Sequence, residues 1–348
     1  MMYLAENMAR LLQCPGSAVL CEGIEPRISE SAEQGAAAHW AAQELFDRRE
    51  IDVGLVADNG VVLDAEMCDA ATLFIESLPF GGVNGFRRRV SIPPIHPECY
   101  GYADYFSYGD GVLHVAGFHY GHGFVDEYNN PELLALAIGL RAELSLPADT
   151  RYVITVVQPR YYGAPPVRSH NVSDGALDTW TVAMKTVCDS PMETVRTGSA
   201  CLHCPARATC ATLKRASSFV ADIAGVTAEM SMPLNDAERE LAMLEGAQTL
   251  VKARISGLEA QIAESLKPGE TGAIYSLRAS AGRLDWSAPP AEVIDLLGDE
   301  VAKRAVITPT QALKAGVDKD LVGMLSARKA GEPKLTKIDT KRVFNKGE

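Results

Sequence analysis

The sequence contains no apolar run approaching the roughly 20 residues that a membrane-spanning helix needs. Its first stretch, Met1 to Gln13, lacks a charged head followed by a continuous apolar segment, so no secretory signal is read there. Together these absences predict a cytoplasmic protein with no membrane partner. An internal repeat and a long low-complexity segment are also missing, which excludes a repeat-built architecture. Excess positive charge is lacking too: 33 Lys and Arg against 45 Asp and Glu give a formal net charge of −12. That balance argues against a protein that binds nucleic acid over its whole surface.

What is present is ordinary globular material. A 47% hydrophobic share with 22% charged residues over 348 residues is enough for one large domain or two smaller ones. The charge is uneven. Val301 to Glu348 holds 11 Lys and Arg against 5 Asp and Glu, so it carries +6 and the remainder −18. Arg87-Arg88-Arg89 forms a second basic cluster before an apolar strand pattern. Both strips read equally as solvated surface or as contacts tracking a DNA backbone.

The pattern of the eight cysteines carries more information than their number. Cys201, Cys204 and Cys210 are bunched as C-x₂-C-x₅-C, whereas Cys14, Cys21, Cys68, Cys99 and Cys188 are scattered. In a reducing compartment such a bunch reads as a metal site rather than as disulfides. Three thiolates need a fourth, and Cys14, held outward by the following Pro15-Gly16 turn, is the best candidate. Spacing alone leaves an iron–sulfur cluster and structural zinc equally open.

Local patterning gives an α/β order. Ser31–Arg49 reads as a helix carrying Gly35, His39 and Gln43 on one face. Tyr100–Ser107 and Val112–Tyr120 read as strands joined through Asp110-Gly111, a strong hairpin signal, with a further strand near Phe86–Ile92. Pro131 opens a helix to about Leu144, Tyr152–Val157 is a buried strand, and Ala176–Cys188 is another helix. These elements predict a mixed sheet flanked by helices over residues 1–218. Residues 219–348 form an α-rich accessory region. It comprises a long helix from Asn235 to about Leu266, stopped by Lys267-Pro268-Gly269, a hairpin-like Ile274–Trp286, a helix near Ala291–Lys303, and a basic tail.

Cys14-Pro-Gly-Ser, Gly35-x-x-x-His39, Gly101-Tyr-Ala-Asp104, and the distal C-x₂-C-x₅-C occur in an order that resembles the PD-(D/E)XK superfamily. Within it they are similar to the RecB- and AddB-like iron–sulfur nucleases and the CRISPR-associated RecB-like exonucleases, and look closer still to an uncharacterised phage-borne branch. The resemblance covers about Leu11 to Cys210, with a further likeness at Gly272–Trp286. It implies a restriction-endonuclease-like fold and a [4Fe–4S] cluster on Cys14, Cys201, Cys204 and Cys210, with zinc as the alternative. It also implies a Mg²⁺ or Mn²⁺ site for phosphodiester hydrolysis. Closing so long a loop costs about 4–5 kcal/mol in the unfolded chain, which a cluster would offset as a staple.

Carried over by position, His39 matches the family's helix histidine and Asp104 its first acid. The next strand departs from the pattern. Gly117 stands where an acid is expected and His119 where a lysine is expected. Gly117 has no side chain to coordinate anything, and His119 is no isosteric cation. His122, Asp126 or Glu132 would have to supply replacements for a migrated site. Three readings follow. The first is a DNA-binding or DNA-processing protein, acting on ends or single strands with weak or absent hydrolysis, beside phage recombination or replication proteins. The others are an active metal-dependent exonuclease with a rearranged site, and a protein–protein adaptor that never touches DNA.

Overall fold

The computed structural model describes residues 3–24, 29–189, 194–223, 233–266, 270–286, 290–297, 309–314 and 316–337. In chain order the elements of the first part are β1 (Tyr3–Leu4), α1 (Met8–Gln13), α2 (Ser17–Leu20), α3 (Glu30–Phe46), α4 (Ala65–Glu76), β2 (Val83–Ser91), β3 (Cys99–Gly109) and β4 (Val112–Phe118). Then come α5 (Pro131–Glu143), β5 (Arg151–Val157), β6 (Val167–Val172), α6 (Asp174–Asp189), α7 (Ala211–Ile223) and α8 (Leu234–Ser265). After α8 lie β7 (Tyr275–Trp286), α9 (Pro290–Leu297), α10 (Pro309–Lys314), α11 (Lys319–Leu325) and β8 (Ser326–Lys337). The chain divides into two compact units, Met1–Arg254 and Ile255–Glu348. That division falls inside α8 rather than at the composition change near Ser218.

The first unit is the expected mixed sheet with flanking helices. Its six strands run in the order β1-β3-β4-β5-β6, with β2 also paired to β3. β3 and β4 form an antiparallel hairpin whose two-residue turn, Asp110-Gly111, has φ of +51° and +71°. These are the values a right-twisted hairpin needs, and Asp-Gly supplies them at least cost. β4 then pairs parallel with β5 across the crossover helix α5.

α5 is the keystone of the packing. Asn130 caps it by accepting from the Leu133 N–H at 3.1 Å, and Pro131 fills its first turn. Leu133 to Leu140 are all buried, so the helix is apolar all round rather than along one stripe. It shares a core with Val90, Ile92, Ala103, Phe106 and Leu113. A separate core on the α3/α4 side joins Ala38, Ala42, Phe74, Tyr105 and Phe118. The alanines let α3 approach closely, and α4 opens on Asp64, whose carboxylate accepts from the Met67 N–H at 2.8 Å.

The second unit contains α9, α10, α11 and a two-stranded sheet in which β7 pairs antiparallel with β8. Ile274–Trp286 is therefore not a hairpin folded on itself. It supplies one long strand whose partner comes from Ser326–Lys337. The expected stop at Lys267–Gly269, the end of the helix predicted to Lys303 and the last residues of the basic tail lie outside the described residues. Among the described residues no helix is long and apolar enough to cross a membrane.

Two helix glycines test this packing with opposite signs. A Cβ on Gly139 of α5 would stand 2.8 Å from the Ser91 carbonyl oxygen and 2.8 Å from Val90 Cγ1, and the backbone oxygen cannot yield cheaply. Gly139→Ala should therefore destabilise by about 1–3 kcal/mol in urea unfolding, despite alanine's higher helix propensity. Gly246 of α8 has nothing within 4 Å of such a Cβ, and Gly246→Ala should stabilise by roughly 1 kcal/mol. Equal effects at the two sites would contradict the close approach of α5 to β2.

Candidate active site and cysteine pocket

The site lies where β3 and β4 part. Their pairing ends at Tyr105 opposite Ala116, and the next residue on β3 is Asp104. Instead of a ladder bond, the Asp104 carboxylate accepts from the Phe118 N–H at 2.8 Å through one oxygen. Its other oxygen lies 3.3 Å from Nδ1 of His39, which α3 presents from the opposite side. The two residues that the sequence singled out thus meet, although they are far apart in the chain. The side chains keep about a quarter of their surface exposed, 26% for His39 and 23% for Asp104, so the pair faces solvent.

Electrostatics favour the charged form of each member of the pair. Burial opposes the imidazolium, but the Asp104 charge and hydrogen bond outweigh it and raise the His39 pKa above its ordinary value. Burial likewise opposes the Asp104 carboxylate, yet His39 and the Phe118 N–H hold its pKa below the usual range. Glu132, in the first turn of α5, is pushed up to about 7 by burial and by the charges of Asp104 and Glu6. Burial pushes His119 down, toward neutral imidazole.

At Gly117 neighbouring side chains fill the space beside the strand. A Cβ built on Gly117 would lie 2.9 Å from Leu133 Cδ2 and 3.1 Å from His119 Nε2. The imidazole two residues on, together with a leucine of α5, therefore occupies the space that an acid at 117 would enter. His119 Nε2 is buried there without a hydrogen-bond partner. Of the three candidate replacements, only Glu132 comes under the influence of the pair. His122 and Asp126 are exposed in the following loop, where His122 Nδ1 meets the Arg160 carbonyl at 3.1 Å and Asp126 accepts from the Tyr128 N–H at 3.0 Å. Buried Gln158 and Arg168 pin this loop: Gln158 bonds the Gly121 carbonyl and the Val125 N–H, while Arg168 pairs with Glu127 at 3.0 Å.

Among the described residues no three His, Cys, Asp or Glu side chains converge on one ion. His39 and Asp104 satisfy each other, so these two residues alone do not fit a tightly held divalent cation.

The basic triplet is not a single patch. Arg88 pairs with Glu143 and sits over the Phe106 ring, and Arg89 stacks on Tyr100 at 4.2 Å. Arg87 is exposed and forms no hydrogen bond or ion pair among the described residues.

The four cysteines border one pocket, although in this arrangement they do not close on a single ion. Cys14, Cys201, Cys204 and Cys210 line this pocket, whose cavity volume is about 20 Å³. Polar contacts between distant segments build it. Gln13 accepts from Ser199 Oγ at 3.1 Å and from the Ala200 N–H at 3.0 Å, and the Gly16 N–H donates to the Thr194 carbonyl at 3.0 Å. Backbone N–H groups of Arg196 and Leu213 point at the sulfurs of Cys14 and Cys210, at 3.4 and 3.5 Å. Three buried donors around the same pocket lack partners among the described residues: Arg10 Nε, Arg207 Nε and Ser17 Oγ. A pocket with four thiols and unpaired cationic donors fits an anionic, thiolate-bound group.

Cys21 is the residue that sequence reasoning missed. Its sulfur lies 3.6 Å from that of Cys204. The Cys204 hydrogen bond pulls the Cys21 thiol down to about 6, while Cys204 itself is held up. Its only sequence signal was its place seven residues after Cys14, beyond a short turn of helix.

A protein-family model described as "Protein of unknown function (DUF2800)" matches residues 82–343, about three quarters of the chain. The chain belongs to this family. The matched span includes Asp104, Gly117, His119 and the cysteine bunch, and begins after Cys14 and His39.

The charged pair predicts a definite pH response. Because His39 is raised above 6.5, its contribution to stability is complete below pH 6.5 and is lost as pH rises through its folded pKa. Asp104, lowered from 3.8, contributes above that value and loses its contribution as pH falls through its folded pKa. Proton NMR should therefore show His39 titrating above 6.5, and Asp104→Asn should bring it down. A His39 midpoint at or below 6.5 in the unaltered protein would contradict the ion pair.

Proposed function

We propose that this DUF2800 member is a DNA-binding protein on a RecB-like nuclease fold, stapled by a [4Fe–4S] cluster, whose hydrolytic site has been lost. The observation that carries the reading is the site at the parting of β3 and β4. His39 and Asp104 meet there as a metal-dependent nuclease of the PD-(D/E)XK type would place them, yet His119 and Leu133 fill the position of the next acid. Such a site retains the geometry of a phosphodiesterase and lacks two of its working groups. The ligand in this reading is a DNA end or single strand, in the setting of phage recombination or replication.

The cluster reading rests on the donor set. Four thiols around a pocket, N–H groups aimed at two sulfurs, and arginine donors without partners among the described residues suit an anionic, thiolate-bound group, and the resemblance to iron–sulfur nucleases favours a cluster over zinc. The cluster would tie α1 to the segment after α6, and its role would be structural.

A second reading draws on Glu132. Its raised pKa reflects burial first and then the charges of Asp104 and Glu6, which a nearby cation would offset. In that case Glu132 takes the role of the missing acid and the enzyme is active.

Two measurements test these readings. Protein purified without oxygen should be brown, with broad absorption near roughly 400 nm as thiolate-ligated iron–sulfur centres give. Cys204→Ser should bleach it, whereas Cys21→Ser should keep the colour. Colourless protein with one equivalent of zinc would overturn the cluster and spare the four-thiolate site. The protein should also bind single-stranded DNA while showing negligible Mg²⁺- or Mn²⁺-dependent cleavage. Each missing electrostatic contact is typically worth about 3–4 kcal/mol in the transition state, so two losses amount to a deficit of about 10⁴-fold or more. Gly117→Asp with His119→Lys should restore measurable cleavage, since removing the imidazole clears one of the two contacts at the new Cβ. Robust cleavage by the unaltered protein, abolished by Glu132→Ala, would establish the second reading instead.

A further inference from the structure

In a regular strand, residues two apart face the same way. At the site they do not. On β2, Phe86 packs into the core beside α3 and α4, whereas Arg88 turns to the opposite face, over Phe106 and toward Glu143 of α5. On β3, Tyr105 belongs to the α3/α4 core and Ala103 to the α5 core. The register sets Phe86 opposite Tyr105 and Arg88 opposite Ala103. Arg87 and Asp104 therefore stand opposite each other where both pleats invert.

The inversion is carried by the backbone of Arg87, which has φ of +43°, a region that L side chains rarely adopt. Strain of this kind inside a strand persists only where the surroundings impose it, and it gathers at functional sites. Its effect here is to release Arg87 from the alternation that commits its neighbours to Glu143 and Tyr100. The guanidinium is left exposed, without an ion pair among the described residues, and close enough for its charge to oppose protonation of His39.

We propose that Arg87 is the phosphate-anchoring residue of this site, holding a backbone phosphate of single-stranded DNA beside the His39–Asp104 pair with no metal ion. The inference rests on the DNA-binding reading above and names the group that does the binding. A planar guanidinium offers paired donors to phosphate oxygens, and its charge does not depend on pH in the working range. It stands opposite the first acid on the neighbouring strand, so it brings a fixed positive charge to a site that lacks the expected lysine.

The test is the salt dependence of binding to a fluorescent oligothymidylate. Arg87→Gly removes the charge and also removes the strain at φ +43°. The variant should unfold at no lower a midpoint than the unaltered protein. Its slope of log affinity against log salt should nevertheless be shallower by about 0.7, the change expected for one lost phosphate contact on a single strand. Arg87→Gln, which keeps the length, should lose the same slope, and Arg87→Lys should recover it. Arg88→Gln and Arg89→Gln should leave the slope unchanged. If Arg87→Gly and Arg87→Gln keep full slope while Arg89→Gln loses it, the Arg87 assignment is overturned and the DNA-binding reading survives. If the unaltered protein fails to bind at low salt, the DNA-binding reading falls and the assignment falls with it.

Discussion

The geometry of this site hangs on a carboxylate with both oxygens in use. Where β3 and β4 stop pairing, a buried Phe118 N–H would otherwise be left without a backbone acceptor, and Asp104 supplies one from its side chain. The same group then fixes His39 of α3. A single residue thereby ends the ladder, orients the helix above it and sets the charge of the cleft. The opening of the strands and the charge of the site thus share one group.

The space beside Gly117 is filled rather than open. A glycine in place of an acid would leave a cavity beside α5, and cavities cost stability in proportion to their volume. Leu133 and the His119 ring close that space from two sides. The imidazole remains with a buried nitrogen lacking a partner, so the filling is imperfect in polarity even where it succeeds in shape. Glu132, crowded by two other carboxylates, shows the same mismatch in charge.

Much of this was legible in the sequence, and the limits have physical causes. Periodicity and turn chemistry located α3, α5, β5 and the β3–β4 hairpin, because Pro131 and Asp110-Gly111 act locally. The pairing of His39 with Asp104 was legible only through motif order, since no local rule connects them. α4 was overlooked although Asp64 caps it, and β6 because its alternating polar residues give no continuous apolar run. The three consecutive arginines illustrate the deeper limit. Composition treats them as one patch, but Arg88 goes to Glu143 and Arg89 to Tyr100, while Arg87 joins neither because its strained backbone reverses the pleat. Cys21 eluded spacing arguments for a similar reason: its neighbour Cys204 lies 183 residues away and is brought there only by the fold.

The joining of α1 to the segment around Ser199 has a consequence for biosynthesis. Tyr3 bonds the Cys188 carbonyl, Gln13 holds Ser199 and Ala200, and Cys14 faces Cys201 to Cys210 across the pocket. Every one of those partners leaves the ribosome after the sheet and α5 have been made. The contacts around Gln13 and Cys14 therefore form only after residues 188–210 have been made, although β1 can pair with β3 earlier. At roughly 5–20 residues per second, that is a wait of about 10–40 seconds with its cysteines unshielded. A cell making this protein has to keep those thiols reduced and unclaimed until the other end of the unit arrives.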